Sequence, residues 1–134
     1  VKNAETNDIN LIFKSANKNI SILGDKESLK TIFTNLISNA VKYTPPGGKI
    51  ICRIDAKNNQ ALIEVEDNGV GINSEDLPYI FERFYRVDKS RSQTDGTGIG
   101  LAIVRELVNA LDGKIDVKSN PNEGTIFTIK FPLA

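Results

Sequence analysis

Three short stretches of this chain carry residue types and spacings that could do chemistry. Asn35, Asn39 and Lys42 are spaced i, i+4, i+7, so on a helix they stack along one line of its surface. At about 100° per residue that line falls beside an apolar stripe, at the border between core and solvent. A neutral amide oxygen can complete the octahedral shell of Mg²⁺, whose other ligands are waters and phosphate oxygens. A lysine one turn further along can meet those phosphates. Asp67-Asn68-Gly69-Val70-Gly71 follows a strand-like run. A carboxylate there accepts hydrogen bonds only, which suits an exocyclic amine such as that of adenine, and the two glycines let backbone approach a flat ring. Gly96-Thr97-Gly98-Ile99-Gly100-Leu101 leads straight into a helix, and glycine-rich backbone at a helix N-terminus offers N–H groups and a favourable dipole to phosphate. Each stretch taken alone also has an ordinary reading: a solvated helix face, a tight turn, a flexible hinge.

The wider composition limits the alternatives. At 134 residues, with 40% hydrophobic and 25% charged residues, the chain has the balance of one globular domain. Lys plus Arg and Asp plus Glu number 17 each, so no global positive field argues for nucleic acid, and an anion must find a local site. The chain has no histidine, which removes the commonest general base and metal ligand and leaves carboxylates, amides, Lys, Arg and backbone. The single cysteine, Cys52, reads as a buried strand residue, and the lack of disulfides fits a reducing compartment. No stretch approaches the roughly 18 apolar residues of a membrane span. The absence of methionine leaves two readings, a lost initiator or an excised internal piece. The glycine loop is G-x-G-x-G, so it is neither the dinucleotide fingerprint nor a standard P-loop.

The elements that must position these residues follow from patterning. Residues 9–14 and 19–23 read as short strands around a polar turn. A helix is expected from Asp25, with Leu29, Ile32, Phe33, Leu36, Ile37, Ala40 and Val41 on its apolar face, until Pro45-Pro46-Gly47-Gly48 stops it. Residues 49–57 and 61–67 read as a hairpin around Asn58-Asn59, and a short helix is expected near 74–84. The polar stretch 88–98 reads as a mobile surface loop. A helix over 99–111 has the core face Ile103, Val104, Leu107, Val108 and Leu111, with Gly113 as its left-handed terminal residue. Two strands, 114–119 and 124–131, complete an α+β two-layer sandwich with helices on one face.

The three chemical stretches, in this order, read together as one ATP site, and here the sequence resembles the ATP-binding domain of sensor histidine kinases. That domain belongs to a superfamily shared with DNA gyrase, the heat-shock chaperone ATPase and mismatch-repair ATPases. Asn35 to Thr44 looks like the N box, Asp67 to Ile72 the first glycine box, Phe81 to Arg86 the F box, and Gly96 to Leu101 the second glycine box. Gly124-Thr125 stands where a last, weaker box ends the domain, so the likeness runs over roughly residues 8–133. The resemblance implies a Bergerat-type fold, with a mixed, mainly antiparallel five-stranded sheet and three helices on one face. It implies Mg²⁺ on Asn39, with Asn35 supporting the phosphates or the metal's water shell, and Lys42 neutralising phosphate. Tyr43 would lie near the nucleotide. Asp67 would read the adenine amine with help from Gly69, Gly71 and a water on Thr125, while Ile72 packs against the base. Arg86 would face the phosphates and assist transfer, with Lys89 and Arg91 as weaker candidates. The loop 88–98 would be the lid over ATP, and Gly96, Thr97, Gly98, Ile99, Gly100 and Leu101 would receive the phosphates.

The partners implied are a histidine-bearing dimerisation domain of the same protein and a downstream response regulator. By itself the chain is expected to be monomeric and to bind ATP without autophosphorylating, because it has no histidine to accept phosphate. The full protein is expected to be a homodimer anchored in the bacterial membrane, with this domain in the cytoplasm. Three other readings stand against this one. A gyrase-like or chaperone-like ATPase would place a water-activating Glu where this chain has Asn35, and a serine kinase of the anti-sigma-factor type would lack the F box at 81–86. A regulatory module that had lost catalysis would show degenerate boxes.

Overall fold

Two consecutive prolines decide where the first long helix ends. The residue before a proline is pushed out of the helical region, and Thr44 precedes Pro45. The helix accordingly stops at Tyr43, and the Thr44 hydroxyl donates to the Ala40 carbonyl at 2.7 Å, satisfying one of the end carbonyls. This computed structural model describes residues 9–15, 26–82 and 100–132. Within them the chain runs β1 (Asn10–Ser15), α1 (Lys26–Tyr43), β2 (Lys49–Lys57), β3 (Gln60–Asp67), a 3-10 turn (Leu77–Tyr79), α2 (Gly100–Ala110), β4 (Lys114–Asn120) and β5 (Gly124–Pro132).

The five strands lie in the order β1-β2-β3-β5-β4. β1 pairs in parallel with β2, from Asn10 opposite Lys49 to Ser15 opposite Ile54, and the other pairings are antiparallel. The sheet is therefore mixed and mainly antiparallel, as expected. The β2–β3 hairpin turns on Asn58 and Asn59, both left-handed (φ 54° and 66°), the geometry that matches strand twist and that asparagine tolerates. Along β3 the residues alternate strictly: Ala61, Ile63, Val65 and Asp67 are buried, while Leu62, Glu64 and Glu66 are half-exposed. The buried face meets Ile32, Leu36, Ile37, Ala40 and Val41 of α1 and Val104 and Val108 of α2 in one core, closed from β5 by Phe127, Ile129 and Phe131. On the other face Arg53 Nη1 lies 2.7 Å from Glu66 and 3.9 Å from Glu64.

Several expectations are corrected. Of the segment near 74–84, the described residues, which run to Glu82, form the 3-10 turn Leu77–Tyr79 and no α-helix, with Pro78 removing an N–H that a longer helix would need. Among the described residues the helical layer thus holds two α-helices and that turn. The core stripe of α2 comprises Val104 and Val108 with Leu101, Leu107 and Leu111 packed against them, and Ile103 stands outside the cluster. The left-handed residue after α2 is Asp112 (φ 61°), not Gly113. Gly113 is needed for another reason: a β-carbon there would lie 2.6 Å from the Phe131 ring and 2.8 Å from the Lys130 carbonyl. Residues 9–14 do form a strand, but 19–23 and the expected start of α1 at Asp25 lie outside the described residues, as does the loop 88–98. Cys52 is buried in β2 as expected, and burial pushes its thiol pKa up. Among the described residues no helix is long and apolar enough to cross a membrane.

Phe127 is 2% exposed and stands edge-on to Phe81 at 6.2 Å, whereas Phe13 is 63% exposed. Phe127→Ala should therefore cost about 3–5 kcal/mol of unfolding free energy in urea denaturation, and Phe13→Ala should stay within about 0.5 kcal/mol of the native chain.

Candidate functional site

The end of β3 is where the fold spends its unusual backbone. Asp67, 5% exposed, ends the strand on its buried face, and the chain then has to turn back across the ends of β5 and β4. Asn68 first extends the pairing with β2: its N–H donates to the Lys49 carbonyl at 3.2 Å, and its side-chain oxygen accepts from the Lys49 N–H at 2.8 Å. The Gly69 N–H donates to Asp67 Oδ1 at 2.9 Å. Val70 ties the turn to its neighbours on both sides: its N–H donates to the Tyr43 carbonyl at the end of α1 (3.1 Å), and its own carbonyl accepts from Asn122 N–H (2.7 Å).

Three glycines permit this crossing. A β-carbon on Gly69 would run into the Tyr43 carbonyl. On Gly71, already left-handed at φ 74°, it would strike the Asn120 carbonyl. Gly124, at φ 113°, sits so close to the Asp67 carbonyl that no side chain fits. The glycines therefore serve first to let backbone pass backbone around the buried carboxylate.

The row across the sheet at this level is polar. Asp67 faces Thr125, and Thr125 faces Ser119 on β4, all on the core side. Thr125 is 4% exposed, and its hydroxyl is 2.8 Å from that of Ser119. Ser119 also accepts from the Ile72 N–H at 2.7 Å and donates to the Gly124 carbonyl at 3.0 Å. Ile72 itself is buried within the core cluster. Removal from water raises the Asp67 pKa above the ordinary carboxylate value; the backbone amides of Gly69 and Thr125 partly offset this, and the nearby Glu66 charge adds slightly to the rise.

On α1 the polar line falls as its spacing predicts, with Asn35 and Asn39 half-buried and Lys42 exposed. The Asn35 amide nitrogen donates to the Thr31 carbonyl at 3.0 Å, which turns its oxygen outward. That oxygen faces the start of α2: a β-carbon on Gly100 would lie 3.2 Å from it. Lys42 Nζ sits 5.0 Å from the centre of the Tyr43 ring. The structure thus brings Asp67, Gly69, Gly71, Ile72 and Thr125 into one hydrogen-bonded cluster joined to α1 through Tyr43, and it places Asn35 against Gly100. Leu101 is partly buried and packs on the core. Arg86, Lys89, Arg91, Gly96, Thr97, Gly98 and Ile99 lie outside the described residues.

Residues 24–134 match the family described as histidine kinase-, DNA gyrase B- and HSP90-like ATPase. The chain belongs to that family. Sensor protein CiaH of Streptococcus pneumoniae is 43% identical over 126 residues, covering 92% of this chain and 28% of its own length. The mycobacterial sensor histidine kinase MprB superposes with a TM-score of 0.86 at 29% identity, covering 98% of this chain and 89% of that one. ShkA, solved full-length in complex with AMPPNP, superposes with a TM-score of 0.84 at 30% identity, over 99% of this chain and 27% of that one. The chain is an ATP-binding catalytic domain of the sensor histidine kinase type, and it spans little more than a quarter of the length of CiaH.

Within this histidine kinase domain, Ser119 and Asn68 are the residues that sequence reasoning passed over. The signal for Ser119 was present: along β4, Lys114, Asp116, Lys118 and Asn120 point outward, so a serine in phase with Ile115 and Val117 points in. Asn68 reads as a turn residue in sequence, and only the strand register reveals its bonds to Lys49.

The raised Asp67 pKa fixes a direction for pH dependence. Between the unfolded value, about 4, and the higher folded value, the folded chain holds a proton that the unfolded chain has released. Asp67 therefore favours the fold most below that window, and this contribution is lost as pH rises through the folded value. Asp67→Asn cannot ionise, so its urea stability relative to the native chain should improve as pH climbs from about 3 toward neutrality. A difference that stayed flat with pH would mean that burial does not disfavour the charged carboxylate.

Proposed function

We propose that the chain binds Mg-ATP over the row Asp67–Thr125 and along the polar line of α1, and that it donates the γ-phosphate to a histidine carried by a separate dimerisation domain. The observation that carries this reading is Asp67 itself. It is a buried carboxylate, raised in pKa, ringed by glycines, at the end of a central strand. Its acceptor-only chemistry suits the adenine amine. The chain's likeness to ShkA, solved with an ATP analogue, supports nucleotide binding by this domain.

The asparagines of α1 suit a metal that arrives with the phosphates. Among the described residues no three His, Cys, Asp or Glu side chains gather to hold a cation. A neutral Asn39 amide would instead add one ligand to an Mg²⁺ already carrying phosphate and water oxygens, with Asn35 supporting that shell. The ion would supply charge neutralisation across the phosphates. Lys42, Arg86 and more weakly Lys89 add side-chain cations, while Gly96, Thr97, Gly98, Ile99, Gly100 and Leu101 offer backbone N–H groups at the start of α2. Gly69 and Gly71 admit the adenine ring, with Tyr43 and Ile72 beside it and Thr125 reaching it through a water. The segment 88–98 serves as the lid.

A kinase is favoured over a hydrolase by two placements. Asn35, whose amide has no useful basicity, stands where hydrolytic relatives carry a water-activating Glu. Glu64 and Glu66 lie on the opposite sheet face, held by Arg53. Transfer here depends on positioning and charge more than on covalent chemistry from the protein. With no histidine in the chain, the acceptor nitrogen comes from another domain of a longer protein, which passes the phosphate on to a response regulator. We place that parent protein at the bacterial membrane as a homodimer, with this domain in the cytoplasm.

Calorimetric titration of ATP with Mg²⁺ should show binding in the micromolar-to-millimolar range, weakened about tenfold or more, roughly 1.4 kcal/mol, by Asn39→Ala and by Asp67→Asn. Adding a histidine-bearing domain and labelled ATP should yield phosphohistidine, whereas the chain alone should yield none. Binding indifferent to both substitutions would move the nucleotide elsewhere, and no binding at all would end the kinase reading.

A further inference from the structure

Ser119 has one hydroxyl hydrogen and two lone pairs, and its three contacts use all of them. The Ile72 N–H occupies one lone pair at 2.7 Å. The hydrogen goes to the Gly124 carbonyl at 3.0 Å, on a glycine that is itself buried. What remains for the 2.8 Å contact with Thr125 is the second lone pair of Ser119, so the hydrogen in that contact belongs to Thr125. The Thr125 hydroxyl is then committed as a donor toward β4 and keeps only lone pairs for any other partner, at the position that pairs in register with Asp67.

We infer that Ser119 is a positioning residue for base selectivity: by taking the Thr125 hydrogen it makes the pair Asp67–Thr125 accept hydrogen bonds only, so that the site admits a purine with an amine at its 6 position and rejects one with an oxygen there. This rests on the adenine site proposed above. An amine, or a water donating from it, meets two acceptors. A 6-oxo group sets its own lone pairs against the same acceptors, and the hydrogen such a purine carries instead sits on N1, one ring position away. Discrimination by a missing hydrogen-bond partner is far steeper than discrimination by shape alone. The loop is held to the same hydroxyl, because Ile72 N–H binds it directly, so the base-reading turn and the acceptor pair share one anchor.

The test uses ATP and ITP, which differ at position 6 and in consequence at N1, bare in ATP and carrying a hydrogen in ITP, titrated with Mg²⁺ into the native chain and into Ser119→Ala, Thr125→Val and the double variant. Without Ser119 the Thr125 hydroxyl is free to rotate and donate into the site, so the ATP-over-ITP affinity ratio should fall about tenfold in Ser119→Ala. Thr125→Val should lower the ratio as well, and adding Ser119→Ala to it should lower it no further, since the group being oriented is gone. If Ser119→Ala weakened both nucleotides equally and left the ratio intact, Ser119 would be a structural tie only and the proposal would fall. Should Ser119→Ala not fold, Thr125→Val still decides, because an unchanged ratio there overturns the idea. A native chain that binds ATP and ITP alike also overturns it while leaving the nucleotide site standing. ATP binding that is untouched by Asp67→Asn removes the underlying site reading and the selectivity proposal together.

Discussion

A carboxylate taken out of water at the end of a central strand is the constraint around which the rest of this domain is arranged. Burial disfavours the charge of Asp67, and only backbone N–H groups brought close can hold it. Bringing them close forces the chain to fold back over its own strand ends, where three carbonyl groups stand in the way. Glycine is the only residue that passes each of them: Gly69 past Tyr43, Gly71 past Asn120, Gly124 past Asp67. What reads at Gly69 and Gly71 in the sequence as a ring-approach motif is first a steric solution for backbone crossing backbone.

The long helix shows how one element serves core and site together. Ile32, Leu36, Ile37, Ala40 and Val41 fill the core, and a border line one step around the helix carries Asn35, Asn39 and Lys42. The same helix lends its last carbonyl, on Tyr43, to the turn after Asp67. Asparagines sit on a helix that is locked by its apolar face, and the glycine turn is registered against that helix by the hydrogen bond from Val70 N–H to the Tyr43 carbonyl. Position at the site is thus inherited from packing several ångströms away.

Much of this was legible in the amino-acid order because the signals are local. Pro45-Pro46 ends α1, Asn58-Asn59 makes the β2–β3 turn, and strict alternation marks β3 as a strand with one buried face. Expectations failed where the deciding information was not local. Residues 9–14 read as half of a local pair, yet β1 lies parallel to β2, joined to it across the whole length of α1. The 74–84 stretch has helix formers, but up to Glu82, where the described residues end, Pro78 leaves one 3-10 turn. Gly113 looks like a helix terminator, and only the Phe131 ring shows why it is glycine. Ser119 passed unnoticed because its meaning lies in a row across three strands that no window of sequence contains.

The order of the strands in the sheet carries a kinetic implication. β2 with β3 and β4 with β5 are hairpins between neighbours in sequence, cheap to close and quick to form, while the seam joining β3 to β5 unites distant parts of the chain. Asp67 belongs to one hairpin and Thr125 to the other, so the row they form exists only once that seam has zipped to its last residue pair. Assembly of the domain and completion of its polar row are in that sense a single event.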